Sequence, residues 1–261
     1  PAIVARTVHE TGYHADYEIE VITHDQSPNI AGAVDRRGIF SDQRGAGDQG
    51  IMYGYACSET DELLPTPVIL AHRLARKTGT IRGLGPDGKA QVSVEYVLGL
   101  PRRVNNVVVS CQHSADKDVS KLRQEIMKFV IIPAFQEISM DEDTEILVNP
   151  SDRFVLGGFE ADTGLPGRKL MVDAYGGLVP HGGGALSGKD GTKVDRSGAY
   201  MARYVAKNIV TAGLAEQCIV SLAYAIGRAE PLAVGINTCG TGEYPDAVLV
   251  QAVRSVFDLT P

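Results

Sequence analysis

Apolar residues recur at helical spacing in several stretches of the chain, and each of these stretches has one apolar face. The predicted helices are residues 3–11, 67–77, 119–131, 195–212 and 247–257. Thr66 and Asp195 are placed to cap two of them, and Gly12 and Gly213 are placed to end two. The residues expected to point inward on the third and fifth helices are Leu122, Ile126, Phe129, Val130, Leu249, Val253, Val256 and Phe257.

Other stretches alternate apolar and polar residues, or are short apolar runs, which is typical of strands. The predicted strands are residues 17–22, 90–96, 107–109, 145–148, 170–175, 218–226 and 232–238. Residues 83–89 (GLGPDGK) are expected to form a turn, and residues 26–44 a long polar loop. Strands and helices that recur in the order strand, strand, helix predict an α+β fold, with sheets covered on one face by helices.

The amino-acid composition of the chain limits the kinds of molecule that it is expected to bind. The 261 residues are 44% hydrophobic and carry a formal net charge of −7. An acidic chain has no excess of cations to neutralise phosphates, so nucleic acid and anionic membranes are not expected as main partners. No apolar run approaches the length of a membrane span. Cys57, Cys111, Cys218 and Cys239 are scattered without metal-ligand spacing, which predicts buried or free thiols in the reducing cytoplasm, with a disulfide between one pair as the alternative.

The most informative loop is residues 182–195, GGGALSGKDGTKVD. Successive glycines leave a bare backbone that a ligand can approach, and Lys189 and Lys193 follow them. We read this loop as a polyphosphate site, with a solvated charged loop as the equal alternative. The spacing nearly matches a P-loop, but Asp190 replaces the required hydroxyl residue and Gly191 delays the helix, so a P-loop NTPase is not favoured.

Two further loops have the composition of ligand sites. Residues 45–55 (GAGDQGIMYGY) surround Asp48 with glycines, which fits either a tight turn into a buried strand or a backbone held close to a ligand. In residues 149–169, Phe154 beside Arg153 could stack on a base, and Arg168 with Lys169 could clamp phosphates. A solvated loop is the alternative for residues 149–169.

The two glycine-rich stretches, GAGDQGIMYGY and GGGALSGKD, resemble the two signatures of the S-adenosylmethionine synthetase (methionine adenosyltransferase) family. The resemblance extends to QSPNI, TPVILAHRLARK, the PDGK segment, GRK, VDRSGAYMARYVAKNIVTAGLA and SLAYAIGRAEP, in the family's order. It implies a pseudo-threefold repeat of mixed-sheet domains covered by helices. The implied segments are residues 1–43, the remainder of an N-terminal domain with a gating loop, then a central domain at 44–157 and a C-terminal domain at 158–261.

The resemblance also implies a reaction. Family members join ATP and L-methionine into S-adenosylmethionine and then cleave the tripolyphosphate to phosphate and diphosphate, assisted by Mg²⁺ and K⁺. They are dimers or tetramers whose sites are shared between subunits. Because the nucleophile is the substrate's sulfur, the enzyme needs alignment and charge stabilisation rather than a Ser–His or Cys–His pair.

The resemblance assigns the nucleotide to two sets of residues. Asp87 and Lys89 resemble ATP-site residues, with Asp87 near the ribose. Arg153 and Phe154 would hold the nucleotide, with Phe154 against the adenine. Asp162 resembles a residue shared by the nucleotide and the methionine ammonium.

The triphosphate side is assigned in the same way. Arg168 and Lys169 would bind the triphosphate and assist its hydrolysis, and Ala185 and Lys189 would lie beside it. Lys193 would reach the methionine and the leaving group. Asp195 resembles a magnesium ligand, Gln26 a methionine-contacting residue, and Asp48 lies near the site without an assigned role.

The chain departs from the family pattern in several places. Leu186 replaces a common Phe, and Gly191 a common Pro; both are expected to be tolerated. The printed sequence contains neither the family's His-Pro-Asp-Lys motif nor the continuation that the family has after the position of Pro261. The expectation is therefore a partial S-adenosylmethionine synthetase, and the alternative is a shortened, non-catalytic homologue that binds nucleotide or serves as a structural partner subunit.

Overall fold

A computed structural model of the chain describes residues 1–14, 16–34, 44–135, 138 and 140–261. The chain divides into two compact units, and each is described by itself. Unit 1 comprises Pro1–His24 and Thr66–Gly164, and unit 2 comprises Asp25–Pro65 and Leu165–Pro261.

The structure contains both α-helices and β-strands, which are interspersed along the chain. The α-helices are α1 (Ala2–Glu10), α2 (Pro28–Val34), α3 (Thr66–Thr78), α4 (Val119–Ile126), α5 (Ile132–Ala134), α6 (Leu170–Asp173), α7 (Val194–Thr211) and α8 (Asp246–Val256). A π-helical turn (Met127–Ile131) joins α4 to α5, and a 3₁₀ turn spans Gly158–Glu160. The strands are β1 (Gly50–Cys57), β2 (Leu84–Val97), β3 (Leu100–His113), β4 (Glu145–Val148), β5 (Gln217–Tyr224) and β6 (Ala233–Asn237).

Unit 1 is built on a sheet of order β2-β3-β4. β2 and β3 form a long antiparallel hairpin, and β4 pairs in parallel with β3. One face of β3 is buried at alternate positions, as expected of a strand with one covered face. Its valines form a core with residues of α3, α4 and the π-helical turn, including Leu70, Leu74, Val104, Val107, Val109, Leu122, Ile126 and Ile131.

Unit 2 is built on an antiparallel sheet of order β1-β5-β6. α7 packs across β1 and β5 and buries Ala202 and Val205 against Val220 and Leu222. A Cβ atom on Gly54 would overlap the backbone at Ala202, so a glycine in β1 lets the helix approach the sheet closely. α8 adds Leu249 and Val253 to the same core.

The α+β architecture is confirmed, and so are most of the predicted elements. Five of the predicted strands correspond to β2, β3, β4, β5 and β6, although the last two predictions extend one or two residues beyond the strands. The predicted helices correspond to α1, α3, α4 with its continuation, α7 and α8. Gly12 and Gly213 follow α1 and α7 with φ of 94° and 71°, the left-handed conformation that ends a helix. The pseudo-threefold repeat and the three segments 1–43, 44–157 and 158–261 stay predictions.

Three local predictions were wrong, namely two strands and one turn. Residues 17–22 are irregular rather than a strand, and Val21 and Ile22 are exposed there. Residues 170–175 contain the short helix α6, whose Met171 and Val172 are also exposed. Residues 84–89 belong to β2 instead of forming a turn, and the pairing of β2 with β3 shifts between Leu84 and Gly88. The two strand predictions failed because a run of six residues fits the repeat of a helix as well as the repeat of a strand.

Three predictions about helix faces and caps were also wrong. Phe129 lies in the π-helical turn, which rotates it outward, and it is 52% exposed. Val256 is exposed because the chain leaves α8 after it, and Phe257 packs on the core instead. Lys193, not Asp195, occupies the N-cap position of α7, and Asp195 lies in the first turn.

The predicted loop at residues 26–44 begins with α2, so that part of the prediction is corrected. Most of the remainder of the proposed gating loop, residues 35–43, lies outside the described residues. Within the described chain, the structure contains no helix with the length and apolar character needed to cross a bilayer. Cys57, Cys111 and Cys218 are buried free thiols, and Cys239 is an exposed one.

Candidate functional site

The glycine-rich loop of unit 2 encloses the carboxylate of Asp195. Lys189 Nζ lies 2.6 Å from Asp195 Oδ2, and the two side chains are 28% and 16% exposed. On the other side, a Cβ atom on Gly184 would overlap Asp195 Oδ1, so only glycine fits at this position of the loop. The third glycine of the GGG run, Gly184, is therefore explained by the approach of the loop backbone to a carboxylate of α7.

Lys193 is held at the end of the same loop by three oxygen atoms. Its Nζ atom lies 3.1 Å from Thr192 Oγ1, 3.5 Å from Gln26 Oε1 and 3.6 Å from Asp190 Oδ2. The hydroxyl and the backbone N–H of Thr192 both donate to Asp190 Oδ1, and these bonds lower the pKa of Asp190. The structure thus brings together Gln26 and Lys193, two residues predicted for the methionine side.

The two glycine-rich signatures meet at the backbone. Gly47 N–H donates to the carbonyl of Thr192 at 2.9 Å, and a Cβ atom on Gly47 would lie only 2.7 Å from that carbonyl oxygen. Asp48 follows with an exposed carboxylate that accepts from Gln49 N–H. A cavity of about 560 Å³ lies beside this junction, and Gln26, Arg44 and Asp190 are among the residues lining it.

The segment with Arg168 and Lys169 lies next to Ala185. Gly167 adopts a φ of 76°, and a Cβ atom there would lie 2.9 Å from Ala185 Cβ. Arg168 and Lys169 are exposed, and Lys169 Nζ donates to the carbonyl of Arg168. The structure therefore places Ala185 against Gly167, the residue before Arg168, while the cationic groups of Arg168 and Lys169 remain accessible.

The residues of this unit 2 group have the chemistry of a polyphosphate site. Four cationic side chains and a bare glycine backbone can receive a chain of phosphates. Mg²⁺ usually takes one or two carboxylates together with phosphate oxygens, and Asp195, enclosed beside the cations, fits as a single protein ligand. Among the described residues there is no cluster of three or more carboxylate, histidine or cysteine side chains that could hold a metal alone. The four cationic residues are Arg168, Lys169, Lys189 and Lys193.

Unit 1 holds the other predicted site residues, beginning with Asp87 in β2. Its Oδ2 atom accepts from Gly158 N–H at 2.8 Å, and its own N–H donates to Gln112 Oε1. Tyr13 lies at the same place; its pKa is raised by burial, and by the charge of Asp87 to a lesser degree. Lys89 is two residues further along β2, and its side chain is exposed.

Arg153 and Phe154 follow β4 in a loop that is anchored at both ends to β3. At the near end, the buried side chain of Asn149 accepts from Cys111 N–H and donates to Cys111 O. At the far end, His113 N–H donates to the carbonyl of Phe154 at 2.8 Å. Arg153 Nη2 donates to the carbonyl of Ala115, so both predicted residues are fixed beside the end of β3.

Asp162 lies two residues after the 3₁₀ turn of unit 1. Its N–H donates to the carbonyl of Gly158, and its exposed carboxylate accepts from Thr163 N–H at 2.7 Å. Gly158 also donates to Asp87, so the backbone of this turn connects the two carboxylates that the sequence assigned to the nucleotide.

The sequence did not identify several residues that hydrogen-bond to, or pack against, the candidate site residues. Gln112 and His113 are polar residues at the end of an apolar strand, and that break in composition was the available signal. Arg196, whose Nη1 donates to the carbonyl of Lys189 at 2.7 Å, lies on the polar side of α7 and gave no signal. Gly184 stood inside the recognised loop, but its contact with Asp195 depends on tertiary structure.

Comparisons with known proteins show the family of the chain. Residues 43–154 match the family model described as S-adenosylmethionine synthetase, central domain, and residues 156–261 match the model of the C-terminal domain. The S-adenosylmethionine synthase of Thermus thermophilus is 51% identical over 284 aligned residues, covering 100% of this chain and 72% of that protein. The enzyme of the same name from Staphylococcus epidermidis is 48% identical, with 100% and 71% covered. The chain belongs to the S-adenosylmethionine synthetase family.

Proposed function

We propose that this chain transfers the adenosyl group of ATP to the sulfur of L-methionine. In this reaction the thioether sulfur forms a bond to C5′ of ATP, the C5′–oxygen bond breaks, and the electron pair leaves with tripolyphosphate. The product is the sulfonium S-adenosylmethionine. Water then cleaves tripolyphosphate into phosphate and diphosphate. Membership of the family supports the proposal, because both relatives named above are S-adenosylmethionine synthases.

The observation that carries the proposal is the enclosed Lys189–Asp195 pair in the glycine-rich loop, with Lys193 at the loop's end. A leaving tripolyphosphate gains negative charge at the bridging oxygen as the C5′–oxygen bond breaks. Fixed cations near that charge stabilise the transition state more than the ground state. We assign this role to Lys189, Lys193, Arg168 and Lys169, with Arg168 and Lys169 also serving the hydrolysis of tripolyphosphate. Ala185 lies beside the phosphates.

The metal assignment follows from the same carboxylate. Asp195 would hold Mg²⁺, which supplies positive charge that neutralises the phosphates when it is bound. Lys189 keeps the carboxylate oriented through its 2.6 Å contact with Oδ2. K⁺ remains a prediction from the resemblance, with no described residue assigned to it.

In unit 1 we assign the adenosine part of the substrate. Phe154 would stack on the adenine, Arg153 would contact the nucleotide, and Asp87 would accept from a ribose hydroxyl with Lys89 nearby. Their support is the anchoring of the Arg153–Phe154 loop to β3 and of Asp87 to Gly158.

The methionine is assigned to Gln26, Lys193 and Asp162. The contact between Gln26 and Lys193 supports this assignment in unit 2. A carboxylate such as Asp162 can accept from the methionine ammonium.

We also propose self-association to a dimer or tetramer, which sedimentation velocity of the purified chain would test.

The direct test is an assay of the purified chain with ATP, L-methionine, MgCl₂ and KCl, followed by mass spectrometry of the products. We expect S-adenosylmethionine, phosphate and diphosphate in equal amounts. If nucleotide binds but no S-adenosylmethionine forms, the non-catalytic homologue replaces the enzyme as the better description. If neither ATP binding nor product is detected, the proposed function is wrong.

A further inference from the structure

His113 is a buried polar residue that the proposed reaction does not use. It is the last residue of β3 and is 2% exposed. A polar ring in such a position is stable only if its nitrogen atoms find partners, because an unsatisfied buried polar group costs free energy. Both ring nitrogens of His113 have partners in the structure.

The two partners define the protonation of the ring. Phe154 N–H donates to His113 Nε2 at 3.1 Å, so Nε2 must carry a lone pair. His113 Nδ1 lies 2.9 Å from the carbonyl oxygen of Ser114, which can only accept. The hydrogen-bond network therefore assigns a neutral ring with its proton on Nδ1.

The same residue also binds the other polar group of the Phe154 backbone. His113 N–H donates to Phe154 O at 2.8 Å, while the ring accepts from Phe154 N–H. One residue, His113, thus hydrogen-bonds to both the N–H and the C=O of Phe154. Because these two groups determine the direction of the Cα–Cβ bond, His113 fixes the direction in which the Phe154 side chain leaves the backbone and so restricts where its ring can lie.

Further hydrogen bonds join the residues next to His113 and Phe154. Gln112 Nε2 donates to the carbonyl of Val155 at 3.0 Å, and Arg153 Nη2 donates to the carbonyl of Ala115. Gln112 Oε1 also accepts from Asp87 N–H. The end of β3 therefore connects Asp87 with the loop that carries Arg153 and Phe154.

We propose that His113 is a positioning residue for nucleotide binding, which holds the Phe154 ring in the orientation that stacks on adenine. The proposal rests on the proposed function for its ligand, and on the hydrogen bonds of unit 1 for its geometry. A preorganised aromatic ring loses less conformational freedom on binding, so its loss is expected to weaken ATP binding more than it slows transfer.

The test compares His113→Leu with His113→Gln. Leu removes both ring nitrogens, whereas Gln keeps a carbonyl that can accept from Phe154 N–H and an amide that can donate. We expect His113→Leu to raise the dissociation constant and the KM for ATP about tenfold, with kcat and the KM for methionine within about twofold of the wild type. His113→Gln should restore ATP binding to within about threefold of the wild type.

Thr238→Val is the matched control for a general loss of stability. Thr238 is a buried residue of unit 2 whose hydroxyl donates to Asp246, so its loss removes a buried hydrogen bond away from the Phe154 loop. It should lower Tm without changing the ATP dissociation constant. Wild-type ATP affinity in a folded His113→Leu protein would overturn the proposal, and so would a His113→Gln protein as weak as His113→Leu.

Two measurements without nucleotide separate this proposal from the proposed function. Long-range ¹H–¹⁵N NMR of the wild-type chain should show His113 protonated on Nδ1, and a ring protonated on Nε2 would overturn the proposal. Hydrogen exchange of the Phe154 amide should be faster in His113→Leu than in His113→Gln, and equal rates would count against it. If these results hold but the wild type does not bind ATP, the positioning of Phe154 stands and the proposed function fails.

Discussion

The two units hold their candidate residues by different kinds of interaction. In unit 2, cations lie against carboxylates: Lys189 is 2.6 Å from Asp195, and Lys193 is 3.6 Å from Asp190. In unit 1, Phe154 is held by hydrogen bonds between neutral groups at the end of β3. Charge pairs can exchange partners when a phosphate or cation arrives, whereas hydrogen-bonded backbone fixes a direction. The difference suits a polyphosphate in unit 2 and a flat base in unit 1.

The largest expected effect comes from removing a cation of unit 2. Lys189→Ala should slow transfer roughly 100-fold, because one stabiliser of the leaving charge is lost and the enclosed Asp195 keeps an uncompensated charge. The measurement is kcat with saturating ATP and methionine. Lys207→Ala, on a lysine of α7 outside the candidate group, is the control for the loss of a positive charge. Equal rates for Lys189→Ala and the wild type would remove Lys189 from the proposed mechanism.

Glycine spacing in the same loop offers a steric test. Gly184→Ala should raise the dissociation constant of Mg²⁺-tripolyphosphate roughly tenfold, because the added methyl group must displace Asp195. Gly191→Ala is the matched control, since a Cβ atom there meets nothing within 4 Å. Calorimetric titration of both variants checks the difference. If Gly184→Ala and Gly191→Ala bind equally well, the enclosure of Asp195 has no role in binding.

Substitutions at the base of the hydrogen-bonded loop of unit 1 should mainly lower the free energy of unfolding. Asn149→Ala is expected to lower the free energy of unfolding by about 2–3 kcal/mol, because Cys111 N–H and C=O lose their partner in a buried position. Asn149 also has a φ of 42°, so Asn149→Gly loses the hydrogen bonds without the backbone strain and should be the milder change. Urea unfolding measures both. A larger loss for glycine than for alanine would contradict the role of the backbone conformation.

The smallest expected effect is a pH dependence in unit 1, away from the candidate groups. Two hydrogen bonds from Arg103, each 2.6 Å, lower the pKa of Asp141 to about 2. Since the folded-state pKa lies below the usual value of about 3.9, the pair contributes stability above about pH 4 and loses it as the pH falls toward 2. Asp141→Asn should flatten that part of the urea-midpoint profile, whereas Asp143→Asn should not. Parallel profiles for Asp141→Asn and the wild type would refute this contribution.

The sequence predicted best where a long pattern decides the structure. α7 was recognised from its apolar face, which is buried in the core of unit 2. The short run at residues 145–148 was also predicted with the bounds that β4 has. Residues 170–175 were misjudged since six residues fit both helix and strand. The exposed Phe129 could not be anticipated, because the π-helical turn that rotates it depends on how the end of α4 packs.

For the candidate site residues, the sequence indicated which chemical groups are present but not which residues contact one another. The composition of the glycine-rich loop and its lysines suggested a polyphosphate site and a solvated charged loop with equal weight. The enclosure of Asp195 by Gly184 and Lys189 joins residues that are 11 and 6 positions apart through a folded loop. His113 and Phe154 are 41 positions apart, and only the pairing beside β3 brings them together.

Hydrogen exchange with mass spectrometry would test the division of roles most directly. The chain would be exchanged with Mg²⁺-tripolyphosphate alone and with adenosine alone, each against the ligand-free chain. The account predicts that tripolyphosphate protects residues 182–195 and leaves residues 150–158 unchanged, while adenosine does the reverse. Protection of residues 150–158 by tripolyphosphate, or no protection of residues 182–195, would contradict the assignment of the polyphosphate to unit 2.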